Sequence, residues 1–274
     1  MRVVALIATY NEARGIAACL RHLRAQGIDF YVIDNESTDD TLAIVRRFAG
    51  HGLCGWDTLP RAGCFDLRAQ LARKEALAAR LDADWFMHMD ADEFRLPPHG
   101  HARLCEALAW VDHCGYNAVN FQEYTFVPTR EAPDHDHPDF LRTMRHYYAH
   151  TPHAVFQLKA WKRTEAAVRL QASAGHRVDF AGLRRAPVSF PMRHYQVLSR
   201  EHIRRKYEQR RYSTQGAEAL WHCWRRDIRA DDVVFPAAAT LQRYRGDALL
   251  TTNGARRVHL LAQPVAERPT QRVA

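Results

Sequence analysis

Three acidic side chains follow an apolar run in the segment "WFMHMDADEF", residues 85–94. Asp90 and Asp92 are one residue apart, so at the end of a buried strand their carboxylates would repel each other unless a cation neutralised them. Mg²⁺ commonly binds one or two protein carboxylates and completes its coordination with water and phosphate oxygens. The spacing therefore predicts a divalent metal that holds a diphosphate. The alternative is an acidic cluster that caps a helix in solvent.

The elements before this segment alternate between strands and helices. "RVVALIAT" and "DFYVID" are short apolar runs typical of buried strands, and each is followed by a segment with helical spacing of its apolar residues. This alternation predicts an α/β fold with a parallel sheet, because parallel strands need crossover connections. The polar clusters "TYNE", "DNESTDD" and "DADE" each follow a strand, so we expect them to meet at the carboxyl edge of the sheet, where ligands bind.

The composition changes near residue 196. Residues 200–229 contain nine Lys and Arg against four acids, and Ser199 is a residue type that begins helices. We predict a catalytic domain over residues 1–198 and a basic, mainly helical extension over residues 199–274 that packs on it.

The composition of the 274 residues indicates a folded globular protein, with 47% hydrophobic and 26% charged residues. No apolar run approaches the roughly 20 residues that span a bilayer, and the first strand lacks a cleavage pattern, so we expect a cytoplasmic protein. Six cysteines without a CxxC pair predict free thiols. The net charge of +8 favours an anionic partner, which the charge alone leaves open between nucleotides, nucleic acid and an anionic membrane.

The segments "ALIATYNEARGI", "YVIDNESTDDT" and "DWFMHMDADEF" together resemble the family 2 glycosyltransferases over roughly residues 1–95. The resemblance implies a GT-A type fold, with a Rossmann-like, mostly parallel sheet flanked by helices. It also implies a metal-dependent, inverting enzyme of the hexosyltransferase type that moves a sugar from a nucleotide donor, with UDP favoured, to a hydroxyl of a glycan or lipid-linked acceptor. The chain lacks the QxxRW pattern of processive synthases, which favours non-processive transfer. The basic extension would suit peripheral contact with an anionic membrane at its inner face.

The resemblance also implies roles for individual residues. Mn²⁺ or Mg²⁺ would bind Asp90 and Asp92, with His194 from a late strand as a third ligand and Glu93 behind them. Asn35 stands where many relatives have Asp, which leaves the base selectivity open. Lys206 and Arg210 would bind phosphate or an anionic acceptor. The residues expected to bind the nucleotide sugar are Thr9, Tyr10, Asn11, Glu12, Asp34, Asn35, Arg68, Asp90, Ala91, Lys206 and Arg210.

Inverting transfer needs a base within hydrogen-bond reach of the acceptor hydroxyl. Glu123, Asp139 and Asp179 are the candidates in the later part of the chain, and Glu123 is favoured because it follows a predicted strand.

Two other functions fit parts of the sequence. A sugar-phosphate nucleotidylyltransferase would carry a glycine-rich phosphate loop after the first strand, whereas "TYNEARG" has one glycine. A nucleic-acid or polyanion-binding protein would explain why Tyr207, Tyr212, Trp221 and Trp224 interleave with arginines. The carboxylates at the expected cleft would repel phosphate without a metal, so we expect no nucleic-acid partner.

Overall fold

The computed structural model describes residues 1–212 and 223–262. Its described strands form one mixed sheet, which confirms the predicted α/β architecture. The strands are β1 Val3–Thr9, β2 Asp29–Asp34, β3 Leu53–Thr58, β4 Trp85–Asp90, β5 Glu93–Arg95, β6 Ala118–Phe126, β7 His146–His150, β8 Gln157–Lys162, β9 Phe190–His194 and β10 Gln242–Arg243.

The sheet has a parallel half and an antiparallel half. Its order is β10-β7-β6-β8-β4-β1-β2-β3, and β9 joins β6 to β5. Strands β4, β1, β2 and β3 run parallel, whereas β8 is antiparallel to both β4 and β6. The register pairs Thr9 with Asp34 and Ala8 with Asp90. The carboxyl ends that carry the three polar clusters are therefore adjacent across three neighbouring strands.

Helices cover both faces of the sheet. Helix α3 begins after Asp66, whose side chain accepts a hydrogen bond from the backbone N–H of Ala69. This contact satisfies one of the amides that a helix start leaves unpaired. The helices are α1 Ile16–Ala25, α2 Thr41–Arg46, α3 Leu67–Arg80, α4 Leu104–His113, α5 Phe140–Thr143 and α6 Arg200–Ile203.

Strand β1 lies at the centre of the hydrophobic core. Its side chains alternate, so Val3 and Ile7 pack on one face with residues of α1 and α4, whereas Val4 and Leu6 pack on the other face with residues of α3. Burial on both faces explains why β1 is apolar throughout. The polar residues that follow β1 and β4 are thus held on a rigid support.

Where the structure describes it, over residues 199–212 and 223–262, the C-terminal segment contains less helix than the sequence predicts. Helix α6 has four residues and continues into a π-helical turn over 204–208, and short 3₁₀ turns follow from residue 223. The apolar anchors of this segment, Ile228, Phe235 and Leu260, are too far apart in sequence to form one helix face, and they pack separately against a cluster that includes Val127 and Tyr148. Among the described residues, no helix combines the length and hydropathy that crossing a bilayer requires.

Candidate active site

A pocket of about 120 Å³ opens at the carboxyl ends of β1 and β4. It lies between the loop after β1, helix α3 and the π-helical turn after α6. Nine of the residues that the sequence predicts as site residues line it: Thr9, Tyr10, Glu12, Asp90, Ala91, Asp92, His194, Lys206 and Arg210. The sequence thus identified the place where these side chains meet, although not their contacts.

Asp92 is the most strongly engaged acid of the pocket. Its Oδ2 accepts a hydrogen bond from Lys206 Nζ at 2.8 Å, and its Oδ1 lies 3.5 Å from His194 Nε2. Burial alone would raise the pKa of Asp92, but the charges of Lys206 and His194 hold it well below its usual value. Asp92 is therefore a carboxylate between two cationic groups.

Lys206 connects the C-terminal segment to two acids of the sheet domain. Besides Asp92, it lies 3.5 Å from an oxygen of Glu12. Burial disfavours its charge, but the two carboxylates outweigh burial and raise the pKa of Lys206. Burial raises the pKa of Glu12, and the charge of Asp92 acts in the same direction, whereas Lys206 acts against both. The ammonium thus stabilises two acids that would otherwise repel each other.

Asp90 has the most open carboxylate of the acidic motif, with 53% of its side chain exposed, and it lies 4.0 Å from Lys74 Nζ. Lys74 is buried under the pocket, where its Nζ contacts His88 Nδ1 and donates to the backbone oxygen of Met89, each at 2.9 Å. Burial lowers the pKa of Lys74 to about 8. Lys74 is not among the residues predicted for the site, although its spacing from Leu71 and Leu77 on α3 was a usable signal of burial.

Glu93 supports the acidic motif from the interior. Its carboxylate forms ion pairs with Lys159 at 2.6 Å and with Arg95 at 2.7 Å. It also accepts a hydrogen bond from the backbone N–H of Asp90 at 3.3 Å. Glu93 therefore fixes the turn between β4 and β5 from behind, as expected. Lys159, which the sequence analysis missed, also lines the pocket.

His194 links the pocket to a buried carboxylate. Its Nδ1 lies 2.7 Å from Oε1 of Glu123, and its Nε2 faces Asp92. Burial would lower the pKa of His194, but Glu123 and Asp92 raise it well above its ordinary value. The pair holds the imidazole in one orientation, as carboxylates commonly do for functional histidines.

Glu123 itself does not line the pocket. It is 1% exposed, and its carboxylate accepts further hydrogen bonds from Thr125 Oγ1 at 2.9 Å and from Gln157 Nε2 at 2.8 Å. Strand β6 is central, with β7 and β8 on either side, which explains this burial. An acceptor hydroxyl in the pocket would meet His194 before Glu123, so the geometry gives Glu123 no direct contact as a base.

The other two base candidates lie away from the pocket. Asp139 is exposed and pairs with Arg142 at 3.7 Å, and Asp179 is exposed and pairs with Arg169 at 2.5 Å. Neither residue lines the pocket, and the geometry does not support a base at either position. Both occupy loops that the sequence could not place relative to β4.

Asp34 and Asn35, two of the residues that the resemblance assigns to the nucleotide sugar, do not line the pocket. Asp34 and Asn35 are each 2% exposed. Asp34 accepts a hydrogen bond from the backbone N–H of Ser37 at 3.0 Å, and Asn35 Oδ1 accepts one from Gln70 Nε2 at 3.1 Å. These contacts fix the loop after β2. Because Gln70 also lines the pocket, it connects this loop to the pocket wall.

Aromatic and guanidinium groups form one end of the pocket. Tyr10 lies under the guanidinium of Arg61, 3.5 Å from the ring centroid, and Arg210 lies over Tyr10 and Phe65 at 5.7 and 5.3 Å. Arg68, predicted to contact the nucleotide, is exposed and donates from Nε to Gln171 Oε1 at 3.2 Å.

A second cavity of about 490 Å³ adjoins the pocket. The two share Tyr10, Glu12, Lys206 and Arg210, so the π-helical turn after α6 forms a wall between them. Asn11 lines this second cavity, with a left-handed backbone of φ 55°. Its Oδ1 accepts a hydrogen bond from the Thr38 backbone N–H at 2.8 Å, which joins the loops after β1 and β2.

Comparison with known proteins agrees with this geometry. Residues 4–189 match the family described as Glycosyl transferase family 2. No curated protein shows significant sequence similarity to the chain.

Several solved structures resemble the fold. S. aureus TarS has 13% identity and a TM-score of 0.44, and the match covers 74% of this chain and 38% of TarS. The mannosyltransferase PcManGT from Pyrobaculum calidifontis, solved with GDP-Man and Mn²⁺, has 23% identity and a TM-score of 0.35 over 59% of this chain and 44% of that one. Glucosyl-3-phosphoglycerate synthase from Mycobacterium tuberculosis, solved with Mn²⁺ and UDP, has 18% identity and a TM-score of 0.31 over 44% of each chain. The matched regions thus span less than half of these proteins. On the family match over residues 4–189, the chain belongs to glycosyl transferase family 2.

Proposed function

We propose that the chain transfers a sugar from a nucleotide-sugar donor, UDP-sugar first, to a hydroxyl of a glycan or lipid-linked acceptor, with a divalent metal at Asp92. The observation that carries the proposal is the position of Asp92. Its carboxylate faces His194 and Lys206 inside a pocket at the carboxyl edge of the sheet. In α/β sheets this edge is where ligands bind.

The donor set of the pocket suits Mn²⁺ or Mg²⁺. Asp92 Oδ1 and His194 Nε2 are 3.5 Å apart, close to the separation of two ligands that each bind one ion at about 2.0–2.2 Å. Asp90 adds an open carboxylate beside them. Mn²⁺ accepts both oxygen and imidazole ligands, whereas Mg²⁺ strongly prefers oxygen, so the presence of His194 favours Mn²⁺. A bound ion would act as a Lewis acid on the diphosphate leaving group.

Cationic side chains of the pocket would neutralise the part of the diphosphate's negative charge that the metal leaves unbalanced. Lys206 and Arg210 line it on the side of the C-terminal segment, and Lys74 and Lys159 line it on the side of the sheet. Contacts between ammonium or guanidinium groups and phosphate oxygens are strong because both partners are charged. Lys206 reaches both cavities and can therefore orient the leaving group toward the acceptor side.

The aromatic end of the pocket suits the nucleobase. Tyr10 and Phe65 present ring faces beside Arg61 and Arg210, and a planar base can stack on such groups. The nucleoside would be positioned indirectly by Asp34, Asn35 and Arg68, through the loops that their hydrogen bonds fix. UDP is proposed as the donor nucleotide because of the family resemblance. Measurement of nucleotide binding tests this choice.

We place the acceptor in the second cavity. It is larger than the pocket, and it adjoins the pocket through Glu12 and Lys206. Arg14 and Arg205 face it together with Asp39 and Asp40, a mixed polar lining that can hydrogen-bond a glycan. Transfer would be inverting and non-processive, with one acceptor hydroxyl entering beside Glu12, which lines both cavities. The basic C-terminal segment would hold the enzyme at an anionic membrane on the cytoplasmic side.

Nucleotide binding tests the proposal directly. Calorimetry with UDP, GDP, CDP and dTDP, each with and without Mn²⁺, should show binding of one nucleotide that requires the metal. Binding of DNA with a steep salt dependence, and of no nucleotide, would favour a polyanion-binding protein instead. Trp221, which belongs to that alternative, lies outside the described residues.

A further inference from the structure

A second cluster of metal-binding residue types lies behind His194. One potential ligand atom from each of Glu123, His150 and His259 lies within 4.8 Å of the other two. The three residues come from β6, from the end of β7 and from the C-terminal segment. Their separation along the chain explains why no spacing in the sequence indicates the cluster. It does not line the pocket that contains Asp92.

The carboxylate of Glu123 has room for one more partner. It accepts hydrogen bonds from His194, Thr125 and Gln157. His194 and Thr125 both donate to Oε1, and Gln157 donates to Oε2, so the lone-pair position that stays available is on Oε2. His259 Nε2 is 3.7 Å from Oε1, which is too long for a hydrogen bond. The carboxylate and the imidazole of His259 therefore lie close together without a hydrogen bond between them.

The imidazoles of His150 and His259 lie against each other. Their rings stack with centroids 3.6 Å apart at an angle of 24°. Because the lone pair of a ring nitrogen lies in the ring plane, one ring must turn before both nitrogens bind one ion. His150 is 4% exposed, and its Nδ1 is buried without a hydrogen-bond partner among the described residues. His259 has its other ring nitrogen, Nδ1, 3.4 Å from Tyr148 Oη. A buried, unpartnered imidazole nitrogen is costly unless a ligand binds it.

We propose that Glu123, His150 and His259 form a structural site for Zn²⁺ or a similar transition metal, separate from the nucleotide pocket. A two-histidine, one-carboxylate set is an established zinc donor set, with a fourth position left for water. The ion would join the C-terminal segment at His259 to the central strands β6 and β7. It would also fix the carboxylate that orients His194.

Metal content of the full-length protein tests this site. Metal-free protein is reconstituted with Zn²⁺ in excess Mg²⁺, desalted and analysed by elemental mass spectrometry. Wild type should retain about one equivalent of zinc, and His259→Gln and His150→Gln should lose most of it. His153→Gln is the matched control, because His153 is an exposed histidine near the end of β7, and it should retain wild-type zinc.

Two further measurements keep the test decisive. Asp92→Asn should retain the zinc, which separates this site from the nucleotide pocket; loss of zinc in this variant would place the ion at Asp92 and overturn the proposal. If the histidine variants do not fold, Co²⁺ titration of metal-free wild type should produce the visible absorption of a nitrogen- and oxygen-ligated tetrahedral ion. Wild type that binds neither Zn²⁺ nor Co²⁺, or equal zinc in His259→Gln and His153→Gln, would show that the cluster is only a packed hydrogen-bonding group.

Discussion

Lys206 Nζ lies 2.8 Å from Oδ2 of Asp92, although the two residues are 114 positions apart. The ammonium therefore occupies one side of the carboxylate that we propose as the principal metal ligand. It also lies 3.5 Å from Glu12. In the protein without ligands, Lys206 supplies the positive charge that a metal would otherwise provide.

This ion pair predicts opposite effects of Lys206→Met on metal and on nucleotide. Mn²⁺ alone should bind more tightly, because Asp92 and Glu12 lose their resident cation. The nucleotide diphosphate should bind more weakly by about 1.5–3 kcal/mol, the value of a hydrogen bond to a charged group. Calorimetry of each ligand measures both effects. Arg204→Met, in the same turn but outside the pocket, should change neither, and a loss of Mn²⁺ affinity in Lys206→Met would contradict this account.

Glu123→Gln should weaken metal-dependent nucleotide binding about 10–100-fold, the range for substitution of a group that orients a metal ligand. The amide keeps the volume of the side chain but offers His194 Nδ1 a weaker, uncharged acceptor. Binding of UDP with Mn²⁺ measures the effect, with Asp139→Asn as a control that should behave as wild type. If Glu123→Gln lowered turnover and left binding intact, Glu123 would act in the chemical step instead.

The buried ion pair between Lys159 and Glu93 predicts a large stability difference between two lysines of β8. Lys159→Met should lower the free energy of unfolding by about 3 kcal/mol, at the lower end for a broken buried pair because Arg95 still contacts Glu93. Lys162→Met, which breaks an exposed pair with Asp112, should cost no more than about 1 kcal/mol. Urea denaturation of both variants measures the difference. Equal losses of unfolding free energy in the two variants would show that burial does not strengthen the ion pair between Lys159 and Glu93.

From the ion pairs of Asp136 we predict that the free energy of unfolding depends on pH in the acidic range. It pairs with Arg205 of the C-terminal segment and with Arg14 of the loop after β1. Burial would raise its pKa, but the hydrogen bond and the charge of Arg205 lower it below the ordinary 3.8. The stability from this pair is therefore present above about pH 3.8 and is lost as the pH falls through the lower, folded-state pKa. Urea denaturation from pH 6 to pH 3 should show a smaller decrease for Asp136→Asn than for wild type.

The sequence predicted the parts of the site that depend on local structure. Thr9, Asp34 and Asp90 each end a parallel strand, and parallel strands place their carboxyl ends at one edge. That rule was sufficient to predict, from the sequence, that the three polar clusters lie close together. Helices α1 and α2 followed from the helical spacing of the apolar residues after β1 and β2.

The remaining contacts depend on register and on long-range packing. Lys159 meets Glu93 across 66 positions only because β8 inserts antiparallel between β4 and β6. Glu123 was predicted as a base because it follows an apolar run, but the sequence does not reveal that β6 is a central strand. Its carboxylate is therefore buried behind His194, and His150 and His259 reach it from distant segments.

The most direct test of the central claim is calorimetric binding of UDP, with and without Mn²⁺, to wild type, Asp92→Asn and Asp179→Asn. Asp179 is a matched control, because it is an aspartate in an exposed ion pair outside the pocket. The account predicts that wild type and Asp179→Asn bind UDP only with Mn²⁺, and that Asp92→Asn loses this metal-dependent binding. Metal-dependent UDP binding that survives unchanged in folded Asp92→Asn would contradict it.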